Sequence, residues 1–254
     1  MKRLIIWGAG ELGGRVAKTW DKGPVIALTR TTQRHAALQA VGVTPQLGSA
    51  VGRFTTEDLL LLALPGHMKQ KAALDALLET APPARAVLIS STGYYGQSAS
   101  ARVDEDSASG KSARAQRIAK TEQLFLAWAK GNGVVMRLGG LYRRGRGPLP
   151  ALARRGEPLL RPPDKTLALI HYDDAATAVT AALKLPVVES VYLAVTTPCP
   201  SRRIYYEAAC QKLGLPAPRF ADPIGLPPVQ YDITRLQRDL LPLPIYPDWR
   251  EALR

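Results

Sequence analysis

Apolar residues fall in two alternating patterns along the first 145 residues. Short, nearly continuous apolar runs cover Lys2–Trp7, Val25–Thr29, Thr44–Gly48, Leu59–Leu64, Ala86–Ser91 and Gly133–Leu138. Between them lie stretches with helical spacing: Gly14–Trp20, Arg34–Val41, Lys69–Thr80 and Ser112–Lys130. Ala72, Ala73, Ala76 and Leu77 share one face of the third stretch; Ile118, Leu124, Phe125 and Trp128 are the apolar positions of the fourth. Strands that are apolar throughout, not alternately, are covered on both faces. Their alternation with helices predicts an α/β architecture with a parallel, doubly wound sheet.

The turn after the first strand carries chemistry. Gly8-Ala9-Gly10-Glu11-Leu12-Gly13 follows Trp7 directly, and Gly14-Arg15-Val16-Ala17 begins a helix. G-x-G-x-x-G in a strand–turn–helix context is the Rossmann dinucleotide fingerprint. Gly8 permits the tight turn, Gly10 lets a pyrophosphate approach the backbone, and Gly13 lets helix and strand pack closely. The helix start adds unpaired N–H groups and partial positive charge for the phosphates.

The end of the second strand bears on which dinucleotide is bound. NAD sites place Asp or Glu there for the ribose hydroxyls. Here the chain reads Thr29-Arg30-Thr31-Thr32, with Arg34 beyond and no acid nearby. Arg30 can pair with a 2′-phosphate and Thr31 or Thr32 can hydrogen-bond it, so NADP is favoured over NAD. The expected cofactor residues are Gly8, Gly10, Glu11, Leu12 and Gly13 of the turn, Thr29, Arg30 and Thr31 of the second strand end, Leu64 and Pro65 of the fourth, and Gly139.

Composition adds limits. With 254 residues, 46% of them hydrophobic and 22% charged, the chain can build a sizeable core in one or two domains. The longest apolar run, Leu59–Pro65, is far short of a membrane span, and the first strand leaves no room for a signal peptide, so a cytoplasmic protein is expected. Cys199 and Cys210 lack C-x-x-C spacing, and His35, His67 and His171 lack ligand spacing; no disulfide framework or metal site is expected. Net charge is +13, which raises nucleic acid as a partner, but the basic residues are dispersed and without aromatic interleaving. The one dense cluster is Arg143-Arg144-Gly145-Arg146, followed by Arg154-Arg155 and Arg161. A positively charged surface and an anionic ligand at the cleft account for the excess equally well. Sixteen of the 21 prolines lie at or beyond Pro148. The expected division is a Rossmann domain over 1–145 and a smaller, Pro-rich substrate-side lobe over 146–254. Segments around 165–195 return to the core, and helices are expected over Asp173–Leu185 and Arg202–Leu213.

Several segments in order resemble the extended short-chain dehydrogenases/reductases, the family that includes sugar-nucleotide epimerases and dehydratases. Ile89-Ser90-Ser91-Thr92-Gly93-Tyr94-Tyr95-Gly96 is similar to its SSxxxYG strand end, and Arg137-Leu138-Gly139-Gly140-Leu141-Tyr142 to its RxxGxYG segment. Ile170-His171-Tyr172-Asp173-Asp174-Ala175-Ala176 resembles IHVDDLA. The resemblance covers nearly the whole chain. It implies a nicotinamide cofactor and a small or nucleotide-linked substrate, with a homodimer as a possible assembly. It also implies that Ser91 hydrogen-bonds the reacting oxygen and that Arg137 supports the fold. Asp173 and Asp174, just before a helix, are explained by capping and first-turn charge.

The family's Tyr-x-x-x-Lys is missing. No Tyr lies between Tyr95 and Tyr142. If Lys120 is the Lys, Gln116 stands in place of Tyr; if Glu122 sets the register, Arg114 replaces Tyr and Ile118 replaces Lys. Gln carries no proton and Arg stays charged. Tyr94, Tyr95 and Tyr142, near strand ends, are the alternative phenols. The candidate catalytic set is therefore Ser91, Tyr95, Lys120 and Tyr142. Three functions stay open: an NADP-dependent oxidoreductase or epimerase/dehydratase-like enzyme with a non-standard proton donor, a non-catalytic NADP-binding sensor, and a nucleic-acid-associated protein of the same fold.

Overall fold

The structure, a computed structural model, describes residues 2–96, 101–148, 161–225 and 227–253. Seven strands form one parallel sheet: β1 (Leu4–Trp7), β2 (Val25–Thr29), β3 (Thr44–Leu47), β4 (Leu59–Leu62), β5 (Arg85–Ser91), β7 (Gly133–Leu138) and β10 (Val191–Ala194). Their order is β10-β7-β5-β4-β1-β2-β3. Two short parallel pairs stand apart: β6 (Arg102–Val103) with β11 (Gln230–Tyr231), and β8 (Gly140–Tyr142) with β9 (Leu169–His171). The strands expected from the apolar runs are all present. The Leu59–Leu64 run leaves the ladder after Leu62, where Pro65 and Gly66 (φ +80°) turn the chain away.

Strand alternation divides the core in two. Leu4, Ile6, Leu59, Leu61 and Val87 face α1 (Glu11–Thr19) and α5 (Tyr172–Lys184). Ile5, Leu60, Leu62, Ala86 and Leu88 face α3 (His67–Leu77) and α4 (Ala113–Ala129). Every residue of β4 is buried, as the uninterrupted leucines require of a central strand. Helix ends follow local chemistry. Ser112 Oγ accepts from Ala115 N at 3.2 Å to start α4, and Lys130 in the left-handed region ends it. The short α2 (His35–Gln39) follows a 3-10 turn at Thr32–Arg34, where the sequence pattern predicts one helix. The Pro-rich half carries α6 (Arg202–Leu213), capped by Ser201, and α7 (Thr234–Asp239).

The expected capping roles of Asp173 and Asp174 are corrected. The α5 cap is His171, whose Nδ1 accepts from Asp173 N at 3.2 Å. Asp173 pairs with Arg15 across the helix interface. Asp174 is 1% exposed and accepts from the backbone N–H groups of Ile245 (2.6 Å) and Tyr246 (3.1 Å), so it anchors the C-terminal segment.

One buried charge network braces the sheet behind β5. The Arg137 guanidinium donates to Glu122 (Nη2–Oε2 2.9 Å), to the Tyr95 hydroxyl (3.0 Å) and to the Glu105 carbonyl (2.9 Å). Ser90 donates to the same Glu122 carboxylate. Burial pushes the Glu122 carboxyl up, and Arg137 opposes that shift. Among the described residues no helix is long and apolar enough to cross a membrane.

Arg137→Met strands the Glu122 charge and should cost about 3–5 kcal/mol in urea unfolding, with much of it regained in the double variant Arg137→Met, Glu122→Leu.

Candidate functional site: the cleft at the sheet switch point

The strand order reverses at β1, with β2 and β3 on one side and β4, β5 and β7 on the other. A crevice opens at that point beyond the carboxyl ends of the strands, the usual ligand position in doubly wound sheets. The glycine turn fills its floor. Gly8 has φ +104°, and a Cβ there would lie 2.6 Å from the Ala63 carbonyl oxygen. A Cβ on Gly13 would lie 2.6 Å from the Gly8 oxygen and 3.0 Å from Ile6 Cγ2. By contrast, nothing lies within 4 Å of a Cβ built on Gly10. Two glycines are therefore required by packing, and the third faces open space. α1 starts directly after it with no side-chain cap, leaving first-turn N–H groups for a ligand.

The cleft measures about 510 Å³, within the range of small-molecule sites. Gly8, Gly10, Glu11, Leu12 and Gly13 line it, as do Leu64, Pro65 and Ser91. Ser91 Oγ accepts from Gly93 N at 3.1 Å and caps the 3-10 turn Thr92–Tyr94, which leaves its own O–H free to donate. Gln70, for which the sequence holds no signal, ties two strand ends together: its Nε2 donates to the carbonyls of Leu64 (2.9 Å) and Ile89 (2.6 Å). Tyr172 is a further wall, with the Arg15 and Arg146 guanidiniums each 5.7 Å from its ring centroid.

The remaining expected residues are placed differently from one another. Thr29 Oγ1 shares a 2.7 Å hydrogen bond with His35 Nε2, and Arg30 and Thr31 are exposed; none of the three lines the cleft. Arg34 is also exposed; its Nη2 is 3.2 Å from a Cβ built on Gly14, on α1 next to the glycine turn. Neither Arg30 nor Arg34 has a carboxylate partner among the described residues. Gly139 packs against β9, where a Cβ would lie 2.9 Å from the Ala168 carbonyl carbon, while Leu141 lines the cleft.

Tyr95 is 2% exposed, and burial raises its phenol against the pull of Arg137. Tyr142 is fully buried, and its phenol is pushed up to about 12 by burial, with Thr196 opposing. Neither lines the cleft. Lys120 is exposed, roughly opposite the cleft-facing side of α4, which presents Arg114 and Ile118. Of the two registers for the missing Tyr-x-x-x-Lys, the geometry thus brings Arg114 and Ile118 to the site. His171 is buried, stacked 3.5 Å from the Tyr246 ring, and burial lowers its imidazole.

From the Arg143–Arg146 cluster, Arg143 Nε donates to Glu11 Oε1 at 3.1 Å and Arg146 lies 3.8 Å from Glu11 Oε2. Burial works against the Glu11 charge, but Arg143 and Arg15 outweigh it and hold the carboxyl below its usual range. Arg154 and Arg155 lie outside the described residues.

No family model matches the chain, and no curated protein does. Solved structures do. A conserved protein of unknown function from Silicibacter pomeroyi is 22% identical with a TM-score of 0.80, over 100% of this chain and 97% of that one. The chain shares its fold. A UDP-glucuronic acid 4-epimerase from Bacillus cereus, in complex with UDP-glucuronic acid and NAD, is 17% identical at TM-score 0.77, covering 100% and 96%. The human epimerase family protein SDR39U1, with NADPH, is 19% identical at TM-score 0.72, covering 100% and 98%. The Rossmann-like architecture expected from the sequence is thus the one these NAD(P)-binding epimerase-type proteins share.

The glycines separate packing from binding. Gly13→Ala should destabilise the fold by about 1–3 kcal/mol in thermal or urea unfolding. Gly10→Ala should cost less than about 1 kcal/mol yet weaken dinucleotide binding, read by fluorescence titration.

Proposed function

We propose that the chain binds NADP and acts as an oxidoreductase or epimerase/dehydratase-like enzyme on a small or nucleotide-linked substrate, with a proton donor other than Tyr-x-x-x-Lys. The observation that carries this reading is the open Gly10 between two tightly packed glycines, at the switch point and across the cleft from Ser91. The amides of Glu11, Leu12 and Gly13 at the α1 start would hold the pyrophosphate. Leu64 and Pro65 would flank the cofactor, and Arg30, Thr31 and Arg34 would meet a 2′-phosphate. When bound, the nicotinamide supplies a hydride donor or acceptor. The solved neighbours bound to NAD or NADPH, and in one case to a UDP-sugar acid, support the same kind of chemistry.

Ser91 would donate its free O–H to a substrate oxygen. Arg114, whose Nε lies 3.6 Å from the same Gly93 position that Ser91 Oγ approaches at 3.3 Å, would stabilise negative charge growing on that oxygen. Neither can act as a base at neutral pH. Tyr95 and Tyr142, buried and with raised phenols, are better suited to structure than to proton transfer, and so is the exposed Lys120. A binding protein that does not turn over is the second reading, favoured by Arg114 and Ile118 standing where the resemblance calls for Tyr and Lys.

NADPH should bind about tenfold more tightly than NADH, as a charge-assisted phosphate contact implies, and the double variant Arg30→Glu, Arg34→Glu should abolish the difference. Equal affinities in the native chain would remove the NADP reading. Once a substrate is found, Ser91→Ala should lower kcat by about 100-fold with NADPH affinity unchanged; NADPH binding without turnover across carbonyl, imine and sugar-nucleotide compounds would favour the second reading.

A further inference from the structure

Beside the glycine turn, the cleft carries a cation that the backbone amides do not account for. Arg143 and Arg146 close a tight turn after β8: Arg143 N donates to the Arg146 carbonyl and Arg146 N to the Arg143 carbonyl, both at 2.9 Å. Gly145, at φ +72°, lets the chain double back, and the fully buried Tyr142 anchors the base of the turn. Residues paired across such a turn carry their side chains on one face. Both guanidiniums accordingly reach the same group, the Glu11 carboxylate in the first turn of α1.

Glu11 is already satisfied without Arg146. Its Oε1 accepts from Arg143 Nε at 3.1 Å and from Arg15 Nη2 at 3.2 Å. Arg146 Nη1 stands 3.8 Å from Oε2, beyond hydrogen-bond distance, and its side chain is 53% exposed. The Tyr172 ring, with its centroid 5.7 Å from the Arg146 guanidinium, holds the side chain in place. Arg146 lines the cleft together with Gly10, Glu11 and Tyr172, whereas Arg15 and Arg143 do not. Arg15 turns instead to Asp173, and Arg143 donates to the Arg144 carbonyl at 2.8 Å. One guanidinium thus faces the cleft at the glycine turn with donors to spare.

A carboxylate in the first turn of α1 would repel a phosphate brought to the same helix end. Arg143 and Arg15 cancel that repulsion, and Arg146 is surplus to it. A guanidinium is the side chain whose planar donors match two phosphate oxygens at once. Resting on the dinucleotide reading of the cleft, we propose that Arg146 is a clamp for the cofactor's pyrophosphate. Glu11 holds it beside the α1 start, and the phosphates draw it the short way from that carboxylate to themselves. The pyrophosphate is then gripped by a side chain from the turn after β8 as well as by the backbone of the glycine turn.

The test is fluorescence titration of the full chain with NADPH, with ADP-ribose as a competitor that carries the pyrophosphate and no nicotinamide. Arg146→Gln should weaken both ligands by about tenfold or more, with thermal unfolding unchanged. Arg144→Gln removes the same charge from the same turn but from an exposed residue that does not line the cleft, and should change neither affinity. In a Glu11→Gln background, Arg146→Gln should still weaken NADPH by about tenfold, because the contact is to the phosphates and not through the carboxylate. The clamp is overturned if Arg146→Gln binds NADPH like the native chain, if Arg144→Gln weakens binding equally, if ADP-ribose does not share the loss, or if Glu11→Gln abolishes the effect of Arg146. Absence of NADPH binding to the native chain would overturn the dinucleotide reading itself; NADPH binding that is indifferent to Arg146 would overturn the clamp alone.

Discussion

Three backbone segments meet at Gly8 with no room for a side chain. The Ala63 carbonyl closes one side, and Gly13 of α1 packs against the Gly8 carbonyl on the other. This contact sets how close α1 lies to β1 and where its N-terminus points. It also brings the end of β4 against the turn, so Leu64 and Pro65 form a wall of the cleft. Further across, Gln70 ties the ends of β4 and β5, and the position of Ser91 follows from β5. The site is therefore a product of close sheet packing, and loops contribute chiefly at its rim.

Behind Ser91 the support is electrostatic. Arg137 and Glu122 hold β7, α4 and the turn after β5 in one network, and Tyr95 is part of it. A phenol that accepts from a buried guanidinium is fixed, and burial resists its ionisation. The same network sets the facing of α4: with Glu122 turned inward to Arg137, Arg114 and Ile118, eight and four residues earlier, fall on the cleft side.

The strands, the glycine turn and the main helices were legible in the sequence because each rests on local pattern or on backbone freedom. Ser112 and Ser201 cap the helices they precede, and the leucines of β4 are buried as an uninterrupted run implies. What was not legible depends on contacts distant in the chain. Nothing near Asp174 shows that it accepts from Ile245 and Tyr246, and nothing near Gln70 shows that it joins two strands. The choice between Lys120 and Ile118 was ambiguous for the same reason: helical phase is set by the partner of Glu122, which lies on another element. Arg34 was visible as a charge, but its reach over Gly14 depends on the 3-10 turn that redirects it.

The bond between Asp174 and the backbone at 245 and 246 closes a loop of about seventy residues. A nearly inaccessible carboxylate satisfied by two amides cannot lose them without facing a desolvated charge alone. Fraying of the final segment is thereby coupled to α5, and α5 to the sheet. The proline-rich segment around 245 and 246 thus shares the cooperativity of the sheet, and the fold is not complete until that segment docks on α5.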